Sequence, residues 1–118
     1  MKFSEVVRLP EFERDMRQLI RRYSTLEDGL FLGTAAVAYH KLNHDTGIVP
    51  IQGLGRTSLP IFKARKFACR ALKGRGARSG IRVIYAFNQA EDKIELIEIY
   101  FKADQENENR ERIRKHYT

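Results

Sequence analysis

Among the polar side chains in stretches that read as β-strand, six could do chemistry together. They are Lys63 and Arg65 in IFKAR, Arg82 in IRVIYAF, and Glu98, Tyr100 and Lys102 in IELIEIYFK. Successive side chains of a strand point to opposite faces. Val83, Tyr85 and Phe87 therefore share one face, and Arg82, Ile84 and Ala86 the other. Ile97, Ile99 and Phe101 likewise oppose Leu96, Glu98, Tyr100 and Lys102. If the apolar sets lie together against a core, Arg82 shares a face with Glu98, Tyr100 and Lys102, and Lys63 and Arg65 join it from a neighbouring strand. A guanidinium stays charged and matches a phosphate through two parallel hydrogen bonds, so Arg65 and Arg82 suit phosphate recognition. Lys63 or Lys102 could act as a base if neighbouring cations lower its pKa, and Glu98 is the other candidate base. Tyr100 could stack on a nucleobase or pass a proton. Each group also has an ordinary structural use: a cross-strand ion pair for Arg82 and Glu98, a sheet-face aromatic for Tyr100, edge protection for Lys102.

The elements that must hold these groups follow from periodicity. Ile81–Phe87 and Ile94–Phe101, joined by the polar turn Asn88–Asp92, predict a β-hairpin. Both runs are apolar on both faces, which places the hairpin in the middle of a sheet. A glycine-spaced basic loop containing Gly74, Gly76 and Gly80 leads into it. Ile61–Cys69 predicts another strand, with Lys63, Arg65 and Phe67 on one face and Phe62, Ala64, Lys66 and Ala68 on the other. Lys2–Leu9 reads as a short first strand, and Pro10 suits the first turn of the helix that follows. In Glu11–Tyr23, Phe12, Met16, Leu19, Ile20 and Tyr23 recur at helical spacing, with acids early and Arg21 and Arg22 late. Thr25 would cap a second helix running to about Leu42, so the two form an antiparallel hairpin. Asn43–Pro60 is a loop anchored by Ile48, Val49, Ile51 and Leu54, and Asp104–Thr118 suits a short terminal helix docked only by Ile113 and Tyr117. The expected fold is α+β, a single domain over residues 1–118 in the order β-α-α-β-β-β. A helical hairpin covers one face of a small, mainly antiparallel sheet, a short C-terminal helix follows, and the polar face stays accessible.

Charge distribution narrows the partner. The chain of 118 residues carries a formal charge of +7, and no acidic residue occurs between Asp45 and Glu91. That interval holds Lys63, Arg65, Lys66, Arg70, Lys73, Arg75, Arg78 and Arg82 among its cations. A block of one sign attracts polyanions. Cys69 is the only cysteine, which excludes an intrachain disulfide and a zinc site of cysteine spacing. His40 and His44 stand four apart, a helical metal-ligand spacing, but no third ligand lies nearby, and helix capping explains them better. No metal or small-molecule cofactor is expected. Neither a membrane-spanning run nor a signal-peptide pattern is present, so a cytoplasmic location without a membrane partner is the expectation.

Together these stretches resemble the RelE/ParE superfamily of bacterial toxins from type II toxin–antitoxin operons, and within it the HigB-like messenger-RNA interferases. The resemblance runs through the helix FERDMRQLIRRY with STLEDGL, the strand IFKAR, the segment KGRGARSGIRVIY and the closing strand IELIEIYFKAD. It implies the β-α-α-β-β-β fold and metal-independent cleavage of messenger RNA on the ribosome, by attack of a ribose 2′-hydroxyl on the adjacent phosphate. Lys63, Arg65, Arg82 and Lys102 match the family's basic strand positions, and Tyr100 joins them as a candidate catalytic group. Lys66, Arg70, Lys73, Arg75 and Arg78 would bind RNA. Many members carry a catalytic histidine near the last strand or the C-terminus. The last strand here has none, and His116 and Tyr117 are the candidates for acid or base beside Glu98. The implied partners are a cognate antitoxin, the ribosome and messenger RNA. Two alternatives stay open because fold does not fix function: a ParE-like inhibitor of DNA gyrase, and a non-catalytic module that binds RNA or regulates its operon.

Overall fold

The computed structural model describes residues 5–22, 48–64 and 81–118. Its elements are β1 (Glu5–Arg8), α1 (Pro10–Arg22), β2 (Ile48–Pro50), β3 (Ile61–Ala64), β4 (Ile81–Asn88), β5 (Lys93–Phe101) and α2 (Arg110–Tyr117). The strands form one mixed sheet in the order β1-β5-β4-β3-β2. β1 runs parallel to β5, and every other pairing is antiparallel. The β4–β5 hairpin lies in the interior of the sheet, as its two-sided apolar pattern requires. The predicted second helix, and with it the helical hairpin and the His40/His44 pair, falls outside the described residues. So does the predicted continuation of β3 to Cys69. Within the predicted loop Asn43–Pro60, Ile48–Pro50 forms a short edge strand against β3.

Local chemistry explains the hairpin and the first helix. Asn88 Oδ1 accepts the backbone N–H of Glu91 at 3.1 Å, and Asp92 N–H bonds Gln89 C=O at 3.3 Å. Asp92 adopts φ 51°, a left-handed conformation that aspartate tolerates better than most residues. Pro10 opens α1, where its missing N–H costs nothing. Phe12, Met16 and Leu19 of α1 pack on Ile81, Val83, Tyr85, Ile94, Leu96, Ile99 and Phe101, which form the first core.

Strict alternation fails at one place. Ile84 pairs with Glu98 while Tyr85 pairs with Leu96, so Ile97 is the extra residue of a β-bulge. The bulge swaps the two faces of β5. Leu96 and Ile94 join Ile99 and Phe101 on the α1 side, and Ile97 turns to the opposite side. Period two had placed Ile97 with the first set and Leu96 with the second. Of the expected α1-side set, Val83, Tyr85, Ile99 and Phe101 are there and Ile97 is not.

The opposite face is not open. Leu54, Ile61, Ile84, Ala86, Ile97, Tyr100, Ile113 and Tyr117 make a second buried core there, with Leu9, Ile51 and Leu59 packed against it. α2 supplies Ile113 and Tyr117, the two residues expected to dock it. Asn109 caps α2 by accepting the N–H of Arg112 at 3.1 Å, and Ser58 N–H bonds Tyr117 C=O at 2.7 Å. The expectation of an accessible polar face is thus overturned. Ile113 and Tyr117, two apolar side chains at helical spacing, join Leu54, Ile51 and Leu59 in covering Ile84, Ala86 and Ile97.

α1 and α2 also meet at the edge of β5 beyond the end of β1. Leu9 N–H bonds Leu96 C=O at 3.0 Å, the last contact of the β1 side. From there side chains replace a strand: Ile99 N–H donates to Asp15 Oδ2 at 3.2 Å, and Arg112 donates to Ile97 C=O at 3.0 Å. Arg112 and Asp15 pair with each other at 2.7 Å.

Candidate functional site

The register sets the candidate groups in rows on the α2 side of the sheet. Lys63 pairs with Ile84, and Ile84 with Glu98, so Lys63 and Glu98 flank Ile84 across three strands. Arg82 pairs with Tyr100 in the next row. The structure thereby brings Lys63, Arg82, Glu98 and Tyr100 onto one face, at the margin of the second core. Arg65 and the candidate RNA-binding residues Lys66, Arg70, Lys73, Arg75 and Arg78 lie outside the described residues. β5 ends at Phe101, and Lys102 occupies the exposed turn that follows, closed by Asp104 N–H and Gln105 N–H on Phe101 C=O at 2.9 and 3.1 Å. It is a turn residue rather than a member of the strand face.

Each group has defined surroundings. Lys63 Nζ lies 2.7 Å from Glu108 Oε1, with the lysine side chain 16% and the glutamate side chain 4% exposed. Burial pushes the Glu108 carboxyl up, but hydrogen bonding and charge from Lys63 outweigh it and hold the pKa below its usual value. Arg110 adds a second cation, its Nε and Nη2 each 3.1 Å from Glu108 Oε2. Arg82 is half-buried and donates to its own neighbour's carbonyl, Ile81 C=O, at 3.3 Å.

Glu98 is buried, and both of its oxygens are engaged. Oε1 accepts Asn109 N–H at 2.8 Å, and Oε2 accepts the Gln105 side-chain amide at 2.7 Å. Burial raises its pKa above the usual value, against the pull of these donors. The carboxylate therefore fixes the start of α2 and the turn before it. Tyr100 is buried, and burial, followed by the negative charges of Glu108 and Glu98, pushes its phenol up to about 12, with Arg82 opposing. At neutral pH it is a proton donor and not a base.

His116 and Tyr117 point elsewhere. His116 Nε2 lies 2.8 Å from Glu11 Oε2 on α1, and Tyr117 OH donates to Glu95 Oε1 at 2.6 Å. Burial and the hydrogen bond to Glu95 raise the Tyr117 phenol well above its ordinary value. The structure brings neither residue to the Lys63–Glu108 pair. A neighbouring cleft of about 260 Å³ is bounded by Asp15, Asp104, Gln105 and Tyr100, and its carboxylates disfavour an anionic ligand.

Sequence reasoning missed Glu108 and Arg110. Nothing local marks Glu108 within its acidic stretch, because its partner Lys63 lies on a distant strand. What decides the pairing is the docking of α2, which sets Asn109 on Glu98 and so delivers the preceding residue to Lys63.

No protein-family model matches the chain, and no curated protein matches it. Among solved structures, the chain is similar to a chain of the archaeal RelE–RelB complex from Pyrococcus horikoshii OT3. The identity is 20%, over 86% of this chain and 97% of that one, with a TM-score of 0.47.

Proposed function

We propose that this chain is the toxin of a type II toxin–antitoxin pair, a ribosome-dependent and metal-independent endoribonuclease of the HigB-like kind that cuts messenger RNA and arrests translation. The observation that carries the reading is the placement of Lys63, Arg82 and Tyr100 on one face of three adjacent strands, Lys63 and Arg82 belonging to a stretch of sequence free of acidic residues. Cleavage by 2′-hydroxyl attack needs a base, stabilisation of the charge gathering on phosphorus, and a proton for the departing 5′-oxygen. Arg82, with Arg65, suits the second task. Tyr100, protonated up to about pH 12, suits the third as an acid. Glu98 already holds two donors and Lys63 is ion-paired with Glu108, which leaves Lys102, on the turn that follows the strand of Tyr100, as the proposed base. An acidic antitoxin would pair with the same cations in the cytoplasm, giving fast, salt-sensitive association.

A purified translation system tests the proposal. Translated messenger RNA should be cut within the reading frame, and the same RNA without ribosomes should survive. Efficient cutting of naked RNA would remove the ribosome from the mechanism. Inhibition of gyrase with no RNA cutting would point to the ParE-like activity instead.

A further inference from the structure

We propose that Lys63 and Arg110 form a phosphate seat whose resident anion is Glu108, so that the chain's own C-terminal segment competes with a phosphodiester for that seat. The inference rests on the reading of this face as one that handles RNA phosphate, and it adds to that reading a cation and an internal competitor. The geometry is that of anion recognition. Lys63 approaches one oxygen of Glu108 at 2.7 Å, and two nitrogens of Arg110 approach the other at 3.1 Å each. Cationic groups set against both oxygens of one anion suit a phosphate as well as a carboxylate.

The Lys63–Glu108 half of the seat is enclosed, with the side chains 16% and 4% exposed, so its charges act in a medium of low polarity, while Arg110, 41% exposed, forms the side open to solvent. Two cations and one carboxylate leave one positive charge, and a phosphodiester in place of the carboxylate leaves the same. The exchange therefore strands no charge in the interior, and Glu108 leaves for water. Arg82 and Tyr100 occupy the adjoining row, so an anion in the seat has a guanidinium and a protonated phenol close by.

The chain around Glu108 permits the exchange. Lys102, Ala103, Asp104, Glu106 and Asn107 are all exposed, and the segment is held by polar bonds: Gln105 to Glu98 and to Asn107 C=O, each at 2.7 Å, and Asn109 N–H to Glu98 at 2.8 Å, which fixes the chain one residue beyond Glu108. α2 is anchored separately by Ile113 and Tyr117. Arg110 is tied to Gln52 C=O at 2.8 Å, so one cation of the seat keeps its place when Glu108 swings out. Segments with little apolar burial open at low free energy while the core stays closed.

Glu108→Gln in the full chain removes the charge and keeps the size. Its affinity for inorganic phosphate, measured by calorimetry, should exceed that of the unaltered protein by on the order of tenfold. The gain should vanish when Lys63→Gln is added. Glu108→Asp, which keeps a carboxylate on a shorter stem, should give part of the gain and guards against a folding defect in the first variant. Unchanged phosphate affinity in both variants, or a gain that survives Lys63→Gln, would overturn the proposal. So would loss of the folded state in both, because Glu108 would then be a structural ion-pair member. Tighter phosphate binding without cutting of translated messenger RNA would sustain the seat and refute the interferase. Cutting of messenger RNA with no change in phosphate affinity would do the reverse.

Discussion

Asp15→Ala tests how the two helices close the edge of β5. Asp15 accepts from Arg112 at 2.7 and 3.4 Å and from the backbone of Ile99 at 3.2 Å, and the two charged side chains are each 15% exposed. Removing one partner of a largely buried pair leaves the other uncompensated, at a cost of roughly 3–5 kcal/mol. The residual exposure places the expected loss near the lower end, about 3 kcal/mol. Arg112→Ala leaves the Asp15 carboxylate with only its bond to Ile99 N–H and strips Ile97 C=O of its donor, for a loss of similar size, about 3 kcal/mol. With both replaced, no charge remains unpaired, so the double variant should lose about 1–2 kcal/mol less than the sum of the single losses. Urea unfolding of the four proteins, read by circular dichroism, gives the coupling directly. Losses additive within about 0.5 kcal/mol would show that the pair does not act as a unit.

Three further outcomes are expected. Ile113→Ala, fully buried in the second core, should destabilise by about 2–5 kcal/mol in the same assay, and a loss under 1 kcal/mol would mean that α2 contributes little to the fold. Glu11 is held down to about 2 from 4.5, first by its hydrogen bond with His116, so its contribution to stability is complete above pH 4.5 and lost as the pH falls through about 2. His116→Ala should move the Glu11 titration, followed by carbon-detected NMR, up toward the ordinary carboxylate range; an unmoved titration would assign the depression to another cause. On the interferase reading proposed above, Arg82→Ala should abolish cutting of translated messenger RNA while retaining a cooperative thermal transition, and loss of that transition would make Arg82 structural.

Much of the described architecture was legible because its signals are local. The helical spacing of Phe12, Met16 and Leu19, the two apolar runs and the polar turn Asn88–Asp92 each define an element without reference to the rest of the chain. β4 obeys strict alternation, and its faces were read as they stand. β5 does not, because an inserted residue leaves the composition of a strand unchanged while inverting its parity, and this misplaced Leu96 and Ile97. The site divides along the same line. The sharing of one face by Lys63, Arg82, Glu98 and Tyr100 follows from alternation on three strands. That Glu98 serves the turn before α2, and that Lys63 faces Glu108, depends on where a terminal helix lands. Two well-spaced apolar residues in a charged segment are enough to dock such a helix, but they do not say on which surface.

The pairing of β1 with β5 has a consequence for biosynthesis. Glu5 lies opposite Lys93 and Arg8 opposite Leu96, so the first described strand finds its partner only after residues 93–96 have been made. The α1 side of the sheet needs Ile94, Leu96, Ile99 and Phe101, and the other side needs Ile113 and Tyr117. Neither core can be completed on a nascent chain that stops short of these residues. Contacts between such distant parts of a sequence form slowly, and until they form the apolar surfaces of both faces are exposed. A newly made copy therefore passes through an interval in which Lys63 lacks its Glu108 partner and α2 has not yet docked.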